Sequence, residues 1–169
     1  MKRAIVLAIS VILALTMAAP TVLAQSDNGT APEPVRADFI VMPGDQFGSC
    51  EDPDFPIRLQ VSGKGKEITQ PDGSQIFTSP GLHVTATNET TGEQATFSIS
   101  GTFFETTDPV TGDVTTVITG RNLLRDPDAG VVLLSGNFSF VFDAEGNLIQ
   151  SFEDTDGNGQ VIDVCELLS

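Results

Sequence analysis

Residues 94–142 read QATFSISGTFFETTDPVTGDVTTVITGRNLLRDPDAGVVLLSGNFSFVF, and three glycines in this stretch, Gly101, Gly120 and Gly136, stand in the repeated contexts Ile-Ser-Gly, Ile-Thr-Gly and Leu-Ser-Gly. Midway between the first two lies Asp108-Pro-Val-Thr-Gly-Asp113, and midway between the second and third lies Asp126-Pro-Asp-Ala-Gly130. Both segments have turn composition: Asp and Pro to open the turn, and Gly where the backbone must go left-handed. A hairpin centred on each one sets the three glycines opposite one another on neighbouring antiparallel strands. Glycine inside a strand is costly, so such a row marks a bend, a bulge or the close approach of another backbone.

The same centring can be checked on the side chains, because residues directly opposite in an antiparallel pair share a face and a one-residue slip moves them all to the other side. A hairpin on Asn88 to Glu93 pairs Ala86 with Ala95, Val84 with Phe97 and Leu82 with Ile99, all apolar. The next pairs Phe103 with Ile118 and Phe97 with Leu124. The third pairs Ile118 with Phe138, Asn122 with Leu134 and Leu124 with Val132. One face thereby collects Phe97, Phe103, Ile118, Leu124, Leu134, Phe138, Phe140 and Phe142. The other collects His83, Thr85, Ser98, Thr102, Thr119, Ser135 and Asn137, diluted by Val117, Leu123, Leu133 and Val141. Further strands are expected at 57–63, 75–79, 147–153 and 159–165. The fold predicted is all-β, an antiparallel up-and-down meander of about eight strands forming a closed or nearly closed β-barrel, with a two-sheet β-sandwich as the alternative.

Outward from this meander, residues 1–24 have a short basic start (Lys2, Arg3), an apolar run and Val22-Leu23-Ala24 before Gln25, the pattern of a secretory signal peptide. Gln25 at the cut is not a lipid-anchor cysteine, and no membrane anchor is expected after cleavage. Residues 25–37 are polar and proline-bearing and read as a flexible leader, leaving 38–169 as a single β domain. Cleavage leaves 145 of 169 residues; removing Lys2 and Arg3 from eight basic residues leaves six against 23 acidic, a net charge of −17. Such a field repels nucleic acid and anionic membranes and is compatible with cations or basic partners. The expected localisation is extracellular. The chain has two cysteines, Cys50 and Cys165, near the two ends of the predicted domain, and export makes an intramolecular disulfide their natural reading.

The order Cys50, Phe55-Pro-Ile-x-Leu-x-Val-x-Gly63, Pro80-Gly-Leu-x-Val-x-Ala-Thr-Asn88, Ile99-Ser-Gly, Thr119-Gly-Arg-Asn-Leu-Leu124, Leu134-Ser-Gly and Asp163-Val-Cys165 resembles a group of uncharacterised exported proteins of actinobacteria. The resemblance spans Cys50 to Cys165. It implies a secreted β fold with a disulfide and carries no activity and no residue role. It also implies that the glycosylation triplets at Asn28, Asn88 and Asn137 stay bare.

Candidate chemistry is sparse. Asp154-Thr-Asp156-Gly-Asn158-Gly matches the first half of a calcium loop, with oxygen ligands at positions 1, 3 and 5 and Gly at 6, so Asp154, Asp156 and Asn158 are candidate calcium ligands. Position 12 is Cys165 where a bidentate Glu belongs, and an acidic β-turn has the same composition. Asn122 falls squarely on the apolar face, with Thr116 beside it. Inward polar groups among Phe97, Phe103, Phe138 and Phe140 are how a barrel would orient a small apolar ligand, and a barrel end or a bulge would place an Asn there equally well. Eleven Phe with no Tyr or Trp speak for core packing over sugar stacking. His83, the one histidine, faces Ser98, but no Gly-x-Ser-x-Gly elbow accompanies the pair, and no spacing singles out two carboxylates as acid and base. Apart from the possible calcium, no cofactor is expected. The reading is an acidic secreted β domain, non-enzymatic, binding an extracellular protein or wall component through its surface. The alternatives are a small-barrel carrier of an apolar molecule and a carboxylate-dependent hydrolase.

Overall fold

The computed structural model describes residues 31–45, 48–51, 54–126, 129–152 and 158–169. Within them the chain forms β1 (Glu33–Val41), β2 (Ile57–Thr69), β3 (Gln75–Thr78), β4 (His83–Asn88), β5 (Gln94–Ser98), β6 (Gly101–Thr107), β7 (Val114–Asp126), β8 (Gly130–Phe142), β9 (Leu148–Gln150), β10 (Asn158–Asp163) and a one-turn helix α1 (Val164–Leu167). All pairings are antiparallel, in one sheet ordered β10-β8-β7-β6-β3-β2-β4-β5, with β1 also on β2 and β9 also on β8. Neither end of this order meets the other, so the sheet is not closed. The all-β meander is as the register predicts, barrel closure is not, and the sandwich alternative fits.

Ten strands among the described residues replace about eight because β1 is added and the expected strand through 95–107 is broken into β5 and β6. Lys66 faces Thr78 and Ser62 faces His83, so four steps along β2 match five along β3–β4. Thr78 faces Thr102 and His83 faces Ser98, so five steps again match four along β5–β6. One extra residue therefore sits in 79–82 as seen from both neighbours, which is a β-bulge shared by two ladders. Ser79, 2% exposed, holds it: its hydroxyl lies 2.8 Å from the Ile99 carbonyl and 3.0 Å from that of Gly101, and it accepts from Gly101 N–H at 3.0 Å.

The break separates two layers. β1, the first half of β2, β4 and β5 make one layer; β3, β6, β7, β8 and β10 make the other, and β2 belongs to both. Past the bulge β5 stays with β4, and residues 122–126 of β7 pair only with β8, so the expected pairing of Phe97 with Leu124 does not form. The single interior drawn from sequence becomes two cores. Ile57, Leu59, Leu82, Val84, Ala86, Phe97 and Ile99 pack with Val131, Leu133, Val164 and Leu168 between the layers. Ile118, Leu124, Val132, Leu134, Phe138, Phe140, Phe142 and Phe152 pack on the far face of β7 and β8. Val131 to Leu134 are each at most 2% exposed, so this half of β8 is buried on both sides, and Leu133, expected outside, is core.

The predicted glycine row is present: Gly101 faces Gly120, Gly120 faces Gly136, and Gly159 extends the row from β10. Gly120 has φ +79°, and a Cβ there would stand 2.7 Å from the Ser100 carbonyl oxygen. The hairpins beside it are built alike. Asn88 and Asp108 each accept from the N–H groups two and three residues on, and Thr91 and Thr111 accept from Glu93 and Asp113 N–H. The N–H bonds to Asp108 hold its carboxyl below the usual range. Bonds from Asn147, first from its side chain, do the same for Asp143 in the β8–β9 turn.

Residues 33–37, expected in the flexible leader, are the first half of β1, paired from Glu33 opposite Gly65. Val35, Ala37, Phe39 and Val41 alternate toward the core. The prolines obscure that period, yet Pro34 is tolerated because β1 is an edge strand. Cys50 and Cys165 are bridged, with Cα atoms 5.3 Å apart, tying the segment before β2 to the start of α1. Arg125 reinforces this end: its Nε donates to the Gly48 carbonyl at 3.0 Å and its Nη2 pairs with Asp45 at 2.6 Å. Asp163 caps α1 through Cys165 and Glu166 N–H. The bridge is compatible with an exported protein, and among the described residues no helix is long and apolar enough to cross a membrane.

Candidate functional site

The register places Thr116 opposite Phe140, Ile118 opposite Phe138 and Phe103, and Asn122 opposite Leu134. Side chains directly opposite leave the same side of the sheet. Thr116, Asn122, Phe103, Phe138 and Phe140 therefore share the far face of β6, β7 and β8. Phe97 does not: it lies opposite Val84 in the core between the layers, because β5 parts from β7 at the bulge.

Thr116 and Asn122 are each 2% exposed, and Thr116 Oγ1 and Asn122 Oδ1 have no hydrogen-bond partner among the described residues. Asn122 Nδ2 is satisfied by the Thr119 carbonyl at 3.1 Å. Room for the Asn122 amide comes from Gly101, where a Cβ would overlap Oδ1. Phe152 covers the inner part of the face, its ring edge-on to Phe138 at 6.1 Å and to Phe140 at 5.8 Å. The outer part is only partly covered: Phe103 is half-buried, and so is Phe77, which stands opposite it with ring centroids 6.4 Å apart.

Beyond Phe103 on the same side comes Glu105, half-buried and directly opposite Thr116. Its carboxyl is pushed above the usual range, first by burial and then by the charge of Glu67. Glu67 is opposite Phe77 and therefore projects to the same side. Neither residue was singled out by sequence reasoning, although the pairing of Phe103 with Ile118 already places Glu105 against Thr116. The signal was present; what hid it was the abundance of Asp and Glu.

The opposite, solvent side carries a second feature. Ile68 faces Ile76, Ile76 faces Phe104, and Phe104 faces Val117, giving an apolar row across β2, β3, β6 and β7. Phe104 is 36% exposed. The dipeptide Phe103-Phe104 is the sequence signal, since consecutive strand residues point to opposite faces.

The remaining candidates are quickly placed. Asp154 and Asp156 lie outside the described residues. Asn158 opens β10, exposed and opposite Asn137. Among the described residues no cluster of three or more His, Cys, Asp or Glu could hold a metal ion. His83 is opposite Ser98 as expected, on an exposed face where Thr85 and Thr96 hydroxyls meet at 3.0 Å and Ser98 meets Ser100 at 3.0 Å. Asn88, one of the three glycosylation triplets, is 2% exposed and its Nδ2 donates to the Leu168 carbonyl at 2.9 Å, so the nitrogen a glycan would need is occupied. Asp38 is held below the usual range by the Arg58 guanidinium and the Gln60 amide in an exposed cluster.

Comparison with protein-family models, with curated proteins and with solved structures finds no match.

Proposed function

We propose that this protein is an exported, non-enzymatic binding domain whose ligand is a small apolar molecule held on the phenylalanine face of β6, β7 and β8. The observation that carries the reading is the pair of orphaned oxygens, Thr116 Oγ1 and Asn122 Oδ1, buried on that face. A buried polar atom without a partner costs roughly 1–3 kcal/mol. Two on one face, unpartnered among the described residues, favour a bound ligand as the partner, and a few polar groups among aromatic side chains are how small-molecule sites fix orientation. Export is supported by the leader pattern of residues 1–24 and by the Cys50–Cys165 bridge.

A second reading, contact with an extracellular protein or wall component, is favoured by the solvent-side row of Ile68, Ile76, Phe104 and Val117. Native mass spectrometry of the protein purified from its own culture supernatant separates the two. A reproducible non-covalent adduct of several hundred daltons is expected, and Phe103→Ala should abolish it. A bare polypeptide mass from the wild type would overturn the small-ligand reading and leave the outer row as the contact surface.

A further inference from the structure

We infer that Glu105 and Thr116 form the polar end of the phenylalanine face and select an apolar ligand that carries an ammonium group. The inference rests on the small-ligand reading and adds the chemical class of its head group.

The placement follows from three registers. Thr116 is opposite Glu105 across β6 and β7, Phe77 is opposite Phe103 across β3 and β6, and Glu67 is opposite Phe77 across β2 and β3. All five side chains therefore leave the sheet on one side, with the two carboxylates flanking the partly exposed aromatic pair. The other end of the face is closed by Phe152. A ligand entering beside Phe103 would run its apolar part toward Ile118 and keep its head group between Glu105 and Thr116.

The charge of that head group follows from what the site lacks. Neither Glu105 nor Glu67 has an ion-pair partner among the described residues, and burial, then the charge of Glu67, raises the cost of ionising Glu105. Lys64 and Lys66 are an odd number of positions from Glu67 on β2 and project to the opposite side. Thr116 Oγ1 supplies an acceptor already stripped of water. An ammonium group has donors and no acceptor, so it can satisfy a carboxylate and this hydroxyl together. The rings of Phe77 and Phe103 add the negative π-face that cations prefer. A carboxylate or phosphate head would be repelled, and a neutral hydroxyl would leave the Glu105 charge uncompensated. The acidic chain as a whole, at −15, draws cations toward the surface.

Isothermal titration calorimetry at pH 8 with octylammonium, 1-octanol and octanoate holds the apolar part constant and varies only the head. The expected order is ammonium, then alcohol, then carboxylate, with octylammonium about five- to tenfold tighter than octanol. Glu105→Gln should erase that preference; Thr116→Val should weaken octylammonium without altering its preference over octanoate. The melting temperature of each variant verifies folding. Equal affinity for octylammonium and octanol, or a preference that survives in Glu105→Gln, would overturn the inference while keeping the small-ligand reading. Absence of binding by all three probes would remove both. A calcium chloride titration forms the last arm: calcium binding lost in Glu105→Gln, without any octylammonium preference, would reassign the carboxylates to a metal and overturn the ammonium assignment.

Discussion

Gly120→Ala isolates the close approach at the glycine row, because Gly92 provides a matched control. Both have φ +79°, but a Cβ on Gly92 meets nothing within 4 Å, whereas on Gly120 it meets Ser100 O at 2.7 Å and Gly101 Cα at 3.1 Å. The left-handed backbone costs an alanine about 1–2 kcal/mol. Loss of unfolded-chain freedom returns about 0.4–1 kcal/mol at either position. Gly92→Ala should therefore lie between neutral and about 1.6 kcal/mol destabilising. At Gly120 the obstacle is backbone, and Ser100 O also accepts from Arg121 N–H at 3.4 Å, so the strand cannot swing away without disturbing the ladder. Forcing atoms into a filled site costs about 1–3 kcal/mol more. For a domain of this size each kcal/mol moves the melting temperature by about 4 °C, so Gly120→Ala should melt about 4–12 °C below Gly92→Ala by circular dichroism. Melting temperatures within about 2 °C of each other would refute the close approach and with it the register at the row.

Three further outcomes are expected. Asn88→Ala removes the donor to the buried Leu168 carbonyl and the acceptor of Thr90 and Thr91 N–H, and should cost about 2–3 kcal/mol in a urea titration; a change under about 0.5 kcal/mol would detach the β4–β5 turn from the C-terminal segment. Replacing Cys50 and Cys165 together by Ser should lower stability by about 4–5 kcal/mol in the chain-entropy account, while Cys50→Ser alone exposes one titratable thiol; equal thiol titres in wild type and single variant would contradict the bridge. Because the Glu105 carboxyl is raised, its favourable contribution is complete below the unfolded carboxylate range and lost as pH rises through the folded value. Glu105→Gln should thus melt about 1–3 °C above wild type at pH 8, screening included, and no higher at pH 4; the reverse order would contradict its burial.

The meander was legible because its turns are spelled in residues that permit few alternatives, and because the glycines and paired apolar residues had to agree with them. Phe103 with Ile118, Val84 with Phe97 and Gly120 with Gly136 all stand where that spelling puts them. The layering was not legible. A single extra residue at Ser79 to Leu82 sends β5 away from β7, and the serine hydroxyl that bonds across it to the Ile99–Gly101 backbone looks ordinary in sequence. Val131-Val-Leu-Leu134 did carry a trace of the second core, since four consecutive apolar residues mean a strand covered on both sides. Of the candidate site, Thr116 and Asn122 were visible as polar interruptions of an apolar face. Glu105 was not, because a half-buried carboxylate is spelled like an exposed one.

The Cys50–Cys165 bridge also fixes how the molecule would carry tension. A pull applied from outside these two residues passes through the sulfurs and bypasses the segment between them, a sequence separation of 115, so β2 through β10 are shielded from load. Of the described strands only β1, Glu33–Val41, lies outside that short circuit. Tugged along its chain, the protein would extend by peeling one edge strand, withdrawing Val35, Phe39 and Val41 from the core between the layers, and then stop with the phenylalanine face still assembled.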